Sequence, residues 1–500
     1  MLRKTEQDAI ESFLSDASNM QGASADEVVM PESPDDVSRI LRECSDKGIP
    51  VTFSGSRTGT VGGALPFGGC IVSLEKMNSV GELDEVSRTI EVGAGVILDA
   101  FQKHTESLGY IYPPDPTEWS CQIGGTIATN ASGARSFKYG ATREFVEAIE
   151  VVLADGEIVS LTRGDSVARG GVIEFSSISG RRYSVAVPTY KRPDVRKNVA
   201  GIFSSPDMDA VDLFVGSEGI LGVITKARLR VIPKSRSFFS GIVFFPSDEK
   251  MVDFVEDARH RSFETRQTDR PDIDATFLEY FDRESLRLIS EKFPDVPSNA
   301  ECALFFEQET DSENEERLLT AWNGLFEKHR ADLETSLFTT AETDRDKMKA
   351  FRHALPVAVN ERVVRNKQRK IGTDMAVPDG NFRAFLKFYK EKLKESGLEF
   401  VIFGHIGDCH LHANLLPKNE DEAVLAKRLY GRFIAQSLML GGTVSAEHGI
   451  GKHKAKYLHI QLGERYLREI VDIKKTLDPS YILNRGNMIS EEMYRALLLP

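Results

Sequence analysis

Residues 113–133 read P-P-D-P-T-E-W-S-C-Q-I-G-G-T-I-A-T-N-A-S-G, and residues 147–158 follow with E-A-I-E-V-V-L-A-D-G-E-I. Gly124, Gly125 and Gly133 stand among Thr126, Thr129, Asn130 and Ser132. With no Cβ in the way, backbone amides and short polar side chains approach a ligand closely. The second stretch alternates as a strand and runs into a tight turn at Asp155-Gly156. Taken alone, glycine runs of this kind fit a pair of surface loops between strands equally well. Their flanks decide between the two.

Two further glycine-rich segments lie on either side. Upstream, Ile49-Pro50-Val51-Thr52-Phe53 predicts a short strand that feeds S-G-S-R-T-G-T-V-G-G-A-L-P, residues 54–66. Gly55, Gly59, Gly62 and Gly63 at a strand end expose amides in the manner of a phosphate cradle. The loop is not of the G-x-x-x-x-G-K-[ST] type, and no nicotinamide-type G-x-G-x-x-G opens a helix here. Downstream, G-S-E-G-I-L-G-V-I-T-K-A-R-L-R-V-I-P covers 216–233, and its β-branched portion 220–232 predicts strands.

Periodicity outlines the remainder. Residues 1–24 predict an amphipathic lead-in helix with Ile10, Phe13 and Leu14 on one face. A second helix opens at Pro34-Asp35-Asp36 and closes at Lys47-Gly48. Strands are expected over 70–74 and 89–92 and a helix over 98–108, while 181–187 is ambiguous. After Pro233-Lys234-Ser235 a strand over 238–245 and a helix over 248–259 give way to a polar stretch punctuated by Pro271 and Pro294. A strand over 302–308 and a helix over 315–328 follow, so the second half predicts an α+β domain with a solvated helical layer.

The chain has 500 residues, more than one ordinary core holds. With 41% hydrophobic and 28% charged residues its composition is globular. A net charge of -13 argues against nucleic acid as a partner, though not against an anionic substrate in a local basic pocket. The 5 cysteines (Cys44, Cys70, Cys121, Cys302 and Cys409) show no C-x-x-C spacing, which removes a disulfide scaffold, a zinc knuckle and an iron–sulfur cluster within the chain. No signal-peptide core or bilayer-length apolar run is present. A cytoplasmic protein without a transmembrane segment is expected, with peripheral membrane association and oligomerisation open.

Histidines gather in V-I-F-G-H-I-G-D-C-H-L-H-A-N-L-L-P, 401–417, and S-A-E-H-G-I-G-K-H, 445–453. The first predicts a strand, a glycine turn and a returning strand, with His410, His412 and Asn414 on one face. The turn folds His405 back towards His412. Two imidazoles and Glu447 from a separate loop make a reasonable N,N,O set for a divalent metal. His410 reads better as a satisfied polar group at the strand edge, and His453 as a surface position. His405, His412, Glu447 and His448 rise above that reading only jointly, since imidazoles flanked by apolar runs need a reason to be there.

In order along 28–488, these motifs resemble the flavin-dependent 2-hydroxy acid dehydrogenases of the vanillyl-alcohol oxidase type, which include D-lactate dehydrogenases, the glycolate oxidase catalytic subunit and D-2-hydroxyglutarate dehydrogenase. The resemblance implies an α+β fold: a two-part FAD-binding domain under an α+β cap. Expected boundaries are 1–234 for the FAD-binding domain, 235–450 for the substrate cap and 451–500 for a segment returning to the FAD domain. It implies FAD contacts at Gly55, Ser56, Arg57, Thr58 and Gly59 in the first loop. In the second, Gly124, Gly125, Thr126, Thr129, Asn130, Ser132 and Gly133 take that role. Glu218, Gly219 and Ile224 contribute from the third segment and Asn484 from D-P-S-Y-I-L-N-R-G-N-M, 478–488.

Carried over by position, His405 and His412 match the metal-ligating histidines of G-H-x-x-D-G-x-L-H, Glu447 the third ligand of a zinc or manganese ion, and His448 the catalytic base. Arg352, in F-R-H-A-L-P, matches the arginine that receives the substrate carboxylate. The chain departs from the pattern at Arg57, where a glycine is usual, and at Cys409-His410, where the pattern has Gly-Asn.

The implied activity is oxidation of a D-2-hydroxy acid, D-lactate first, with hydride passing from C2 to flavin N5. Electrons would go to an external acceptor: a quinone, an electron-transfer protein, an iron–sulfur partner subunit or oxygen. Glycolate and D-2-hydroxyglutarate are alternative substrates. A different flavin-dependent alcohol oxidase of the same fold, or a flavoprotein subunit with an interaction role, are the alternatives in other classes.

Overall fold

The computed structural model describes residues 1–268, 272–311 and 313–498; Pro271 lies outside them. Three principal sheets organise the chain. In the first the strand order is Leu2–Lys4, Glu27–Met30, Cys70–Ser73, Val51–Ser54, with the last three mutually parallel. Helix Pro34–Lys47 makes the crossover between two of them. Ser33 Oγ accepts from the Asp36 amide, Pro34 occupies the first turn, and Gly48 ends the helix at φ 65°. The glycine loop 54–66 therefore leaves the C-terminal end of a parallel strand, the place where open sheets of this kind take ligands.

The second sheet is antiparallel, in the order Val80–Asp84, Thr89–Gly93, Val223–Arg230, Val146–Val152, Ile158–Thr162. The expected Asp-Gly hairpin is present: the Gly156 amide donates to Leu153 O at 2.9 Å. The stretch 123–128 differs from a plain loop. Ile123–Ala128 is a short helix packed on this sheet, and the Gly124 amide donates to Ala94 O at 2.8 Å. A Cβ on Gly124 would sit 2.7 Å from that of Ala94, so only glycine permits the approach.

The third sheet has seven antiparallel strands in the order Asp332–Thr339, Ser237–Phe245, Cys302–Thr310, Ala275–Asp282, Phe400–Gly404, His412–Leu415, Ile371–Gly372. One face packs Leu278, Leu304 and Phe306 with Phe254 of helix Asp248–Gln267 and Trp322 of helix Glu315–Lys328. The other packs Phe277, Phe281 and Phe305 against Phe351 and Leu355 of helix Glu342–Asn366. Glu279 alternates with Phe277 and Phe281 and so shares that second face.

The C-terminal segment ties the first sheet to the third glycine segment. Asp478 accepts from the amides of Ile482 (3.0 Å) and Leu483 (2.9 Å) and from Lys474 Nζ (2.8 Å). Leu483 then lies parallel to Val51, and Asn484 accepts from the Phe53 amide at 2.9 Å while donating to Glu218 O at 2.7 Å.

Two expectations need correction. The lead-in segment is not one helix: Leu2–Lys4 pairs as a strand with Glu27–Met30, and the helix is confined to Gln7–Glu11. Ile10 and Phe13 are nonetheless buried. Edge pairing with an existing sheet outweighs helix propensity in so short a segment. The polar stretch after the helix over 248–259 likewise hides a buried strand, Ala275–Asp282, and a helix, Arg283–Ile289. Among the described residues no helix is long and apolar enough to cross a membrane.

Candidate active site

The three glycine segments meet around one cavity of about 410 Å³, and the histidine loops close its far end. Gly55, Ser56, Arg57, Thr58 and Gly59 line one wall. Gly124, Gly125, Thr126, Thr129, Ser132 and Gly133 line the second, and Glu218, Gly219, Ile224 and Asn484 the third. Gly133 has no room for a side chain, because a Cβ there would lie 2.1 Å from Asp115 O.

Asn130 is placed differently. It lies outside the cavity lining, at φ 47°, and its Oδ1 accepts from the Arg143 amide at 2.8 Å, holding the wall from behind. Glu218 lines the cavity but spends its carboxylate on the amides of Ile450 (2.5 Å) and Gly451 (2.7 Å), fixing the E-H-G loop. Arg57 folds back on its own loop: Nη1 donates to Gly55 O at 3.2 Å, and the guanidinium lies 4.6 Å from the Phe13 ring. Cys121 also lines the cavity, but burial pushes its thiol up to about 12, so it is a poor nucleophile.

At the far end, the strand Phe400–Gly404 delivers His405, and the chain turns through Ile406–Asp408 and a left-handed Cys409 (φ 54°) before the strand His412–Leu415. His405 Nδ1 donates to Glu279 Oε1 at 2.5 Å, which leaves Nε2 facing Glu447 Oε1 at 3.3 Å. His412 Nδ1 donates to Thr373 O at 3.0 Å, which leaves Nε2 facing Glu447 Oε2 at 3.5 Å. A carboxylate or carbonyl behind each imidazole fixes the tautomer and aims the lone pair, as metal-ligating histidines require. Burial opposes the His405 charge, but Glu279 and Glu447 more than offset it and raise its pKa to about 9. A metal would take the place of that proton. The residues present therefore fit a divalent ion.

Lys197 enters from the other side. Its Nζ donates to Glu447 Oε1 at 2.6 Å and to Gly133 O at 2.8 Å, and lies 3.3 Å from Asp408 Oδ2. Burial works against its charge, yet Glu447 and Asp408 hold the ammonium above its ordinary pKa.

His448 stacks on His412 with ring centroids 5.2 Å apart. Its amide donates to Asp374 Oδ2 at 3.1 Å, and its Nδ1 lies 3.6 Å from the same oxygen. Burial in the cavity wall pulls its pKa to about 4, with Asp374 opposing, so the ring is neutral at neutral pH. Arg352 donates from Nε to Glu279 Oε2 at 3.0 Å, which leaves its terminal nitrogens for a ligand carboxylate.

His410 is not a satisfied edge group. It is fully buried, neither ring nitrogen has a hydrogen-bond partner among the described residues, and it stands with His405, His412 and Glu447 in one cluster whose potential ligand atoms lie within 4.8 Å of one another. His453 is exposed, and its amide donates to Val61 O at 3.1 Å.

Lys197, Glu279 and Asp374 are site residues that local pattern did not single out. Glu279 and Asp374 did carry a signal: each is a lone acid inside an apolar run, F-L-E-Y-F and T-D-M-A-V. Lys197 sits among Lys191, Arg192 and Arg196 with nothing to mark it.

Residues 25–162 match the FAD binding domain family and residues 242–488 the C-terminal domain of FAD linked oxidases. Glycolate oxidase subunit GlcD of Bacillus subtilis is 29% identical over 95% of this chain and 92% of its own length. D-lactate dehydrogenase of Anaerostipes hadrus is 29% identical over 96% and 92%. D-2-hydroxyglutarate dehydrogenase of Xanthomonas citri is 28% identical over 92% and 88%. Among solved structures, p-cresol methylhydroxylase superposes with TM-score 0.70 at 14% identity over 98% of this chain and 94% of that one. An alkyldihydroxyacetonephosphate synthase superposes with TM-score 0.67 at 16% identity over 96% and 81%. At those identities the two structures establish the shared fold.

Proposed function

As the chain belongs to the FAD-linked oxidases and binds FAD in its first domain, we propose that it oxidises a D-2-hydroxy acid, D-lactate first, to the 2-oxo acid. One observation carries this reading: His448 and Arg352 line the same cavity as the dinucleotide loops, beside the His405–His412–Glu447 cluster. The names of the relatives, which include a D-lactate dehydrogenase, agree with it.

Arg352, held at Nε by Glu279, receives the substrate carboxylate through its terminal nitrogens. His448, neutral and oriented by Asp374, takes the hydroxyl proton. Bound FAD supplies the acceptor for the C2 hydride. His405, His412 and Glu447 would hold a zinc or manganese ion, which lowers the pKa of the substrate hydroxyl. The walls between these groups include Phe281, Pro356 and Phe403. Among the described residues, Arg57 and Arg352 are the arginines of the lining, and no lysine lines it. Arg57 belongs to the dinucleotide loop, so among the described residues no further arginine or lysine of the lining faces a second carboxylate. That favours lactate over 2-hydroxyglutarate.

All five cysteines are free and buried; Cys44 and Cys70 face each other in the first sheet's core, and the sequence has no spacing for an iron–sulfur cluster or an attached haem. Electrons therefore leave for an external acceptor, with a quinone or an electron-transfer protein favoured over an iron–sulfur subunit or oxygen. Stopped-flow reoxidation with each acceptor tests this choice, and fast reaction with oxygen alone overturns it.

Anaerobic bleaching of the flavin by D-lactate, glycolate, D-2-hydroxyglutarate and L-lactate tests the substrate. D-Lactate is expected to reduce it fastest. Reduction by none of them, with an aromatic alcohol active instead, sinks the hydroxy-acid reading. The FAD is expected to be non-covalent, because Cys121, the thiol in the cavity lining, stays protonated. Acid precipitation should leave the yellow colour in the supernatant; colour in the pellet contradicts this.

A further inference from the structure

The buried ring of His410 is unexplained by anything said so far. Its Nε2 points at Asp374 Oδ1, 3.3 Å away, and its Nδ1 faces Glu447 Oε2 at 3.9 Å. The ring centroid is 4.5 Å from that of His412 and 5.5 Å from that of His405. A polar ring wholly removed from water without a hydrogen bond calls for a partner that protein atoms do not supply.

The local backbone brings it there. Cys409 adopts the left-handed conformation, so the returning strand starts only at His412 and His410 folds inward from the turn. Arg259 Nη1 donates to Cys409 Sγ at 2.9 Å and pins that turn.

Building on the metal reading above, we propose that His410 Nδ1 is a third imidazole ligand, so that His405, His410, His412 and Glu447 form an N3O site selective for zinc over manganese. Ligand atoms around a tetrahedral zinc lie roughly 3.3–3.6 Å apart, given bonds of about 2.0–2.2 Å. His410 Nδ1 and His412 Nε2 lie 3.9 and 3.5 Å from Glu447 Oε2, and His405 Nε2 lies 3.3 Å from the other carboxylate oxygen, Oε1. Lys197 Nζ and Ser132 Oγ both donate to Glu447 Oε1, which leaves Oε2 the freer oxygen for a metal. Nitrogen-rich sets favour zinc, whereas carboxylate and water suit manganese. Asp374 Oδ1 stands 3.3 Å behind His410 Nε2, on the side where Glu279 and Thr373 hold the other two rings, though without a formed hydrogen bond.

The test uses the FAD-loaded protein, stripped with a chelator and reloaded with zinc, manganese or copper(II) alone. In the wild type, pulsed EPR of the copper form should count three imidazoles, and zinc should bind one per chain. His410→Asn should lower zinc affinity about 10–100-fold in competition with a chromophoric chelator. It should affect manganese less and reduce the imidazole count to two. The imidazole count needs no variant, so a poorly folding His410→Asn does not obscure the answer. Two imidazoles in the wild type, or unchanged zinc affinity in the variant, overturns the assignment of His410 alone. A wild type that binds no metal overturns it together with the metal reading, while reduction of that metal-free flavin by D-lactate would leave the hydroxy-acid reading standing.

Discussion

His448→Ala is expected to keep its FAD and its metal and to lose about 10²–10⁴-fold in the rate of flavin reduction by D-lactate, the usual cost of removing a general base. The separation follows from geometry. His448 touches the cluster by stacking on His412, and what orients it is Asp374, through the amide at 3.1 Å and the ring nitrogen at 3.6 Å. Removing the ring leaves Glu447, His405 and His412 with their own supports. His412→Ala acts in the opposite order: metal is lost first and activity with it, because it withdraws a ligand. Anaerobic stopped-flow absorbance isolates the reductive half-reaction from the unknown acceptor, and metal analysis on the same samples distinguishes the two variants. A His448→Ala protein that reduces its flavin as fast as wild type shows that His448 is not the base.

Lys197→Met should be the most destabilising single change at the site. The ammonium is buried between Glu447 and Asp408 at 2.6 and 3.3 Å, and methionine fills similar volume without the charge. Two carboxylates would then share the pocket with their cation gone. Breaking a buried pair from one side costs about 3–5 kcal/mol. For domains of this size that corresponds to a fall of roughly 6–20 °C in the unfolding midpoint. Zinc at the proposed site would supply part of the missing positive charge, so the loss should be larger in the metal-free protein than in the zinc-loaded one. Thermal melts followed by circular dichroism, with and without zinc, measure both. A midpoint within about 2 °C of wild type in both forms would mean that the two carboxylates are neutral or hydrated, contrary to the arrangement described.

Local pattern places the dinucleotide loops and the pair His405–His412 because both depend on short-range features. Glycines next to a strand end, and imidazoles at the end of V-I-F, betray themselves within a dozen residues. Glu279, Asp374 and Lys197 act through partners 126, 74 and 250 positions away, namely His405, His448 and Glu447. No periodicity encodes such separations. His410 illustrates a subtler limit. Strand alternation puts it and His412 on one face, but the left-handed Cys409 breaks the strand, so the ring is enclosed rather than lying at an edge. The lead-in segment fails for a related reason: Phe13 packs under Arg57, a contact that a helical wheel cannot foresee.

The clasp of Asn484 on Phe53 spans 431 positions of chain. Ribosomes add about 5–20 residues per second, so the Val51–Ser54 strand waits roughly 20–90 s after its synthesis for the residue that completes its edge. Through that interval the Phe53 amide, and from its own synthesis 266 positions before Asn484 the carbonyl of Glu218, lack the partners they have in the finished protein. The flavin pocket is therefore a late product of biosynthesis, closed by the segment that leaves the ribosome long after the loops it joins, and a nascent chain has nothing with which to grip the cofactor firmly until then.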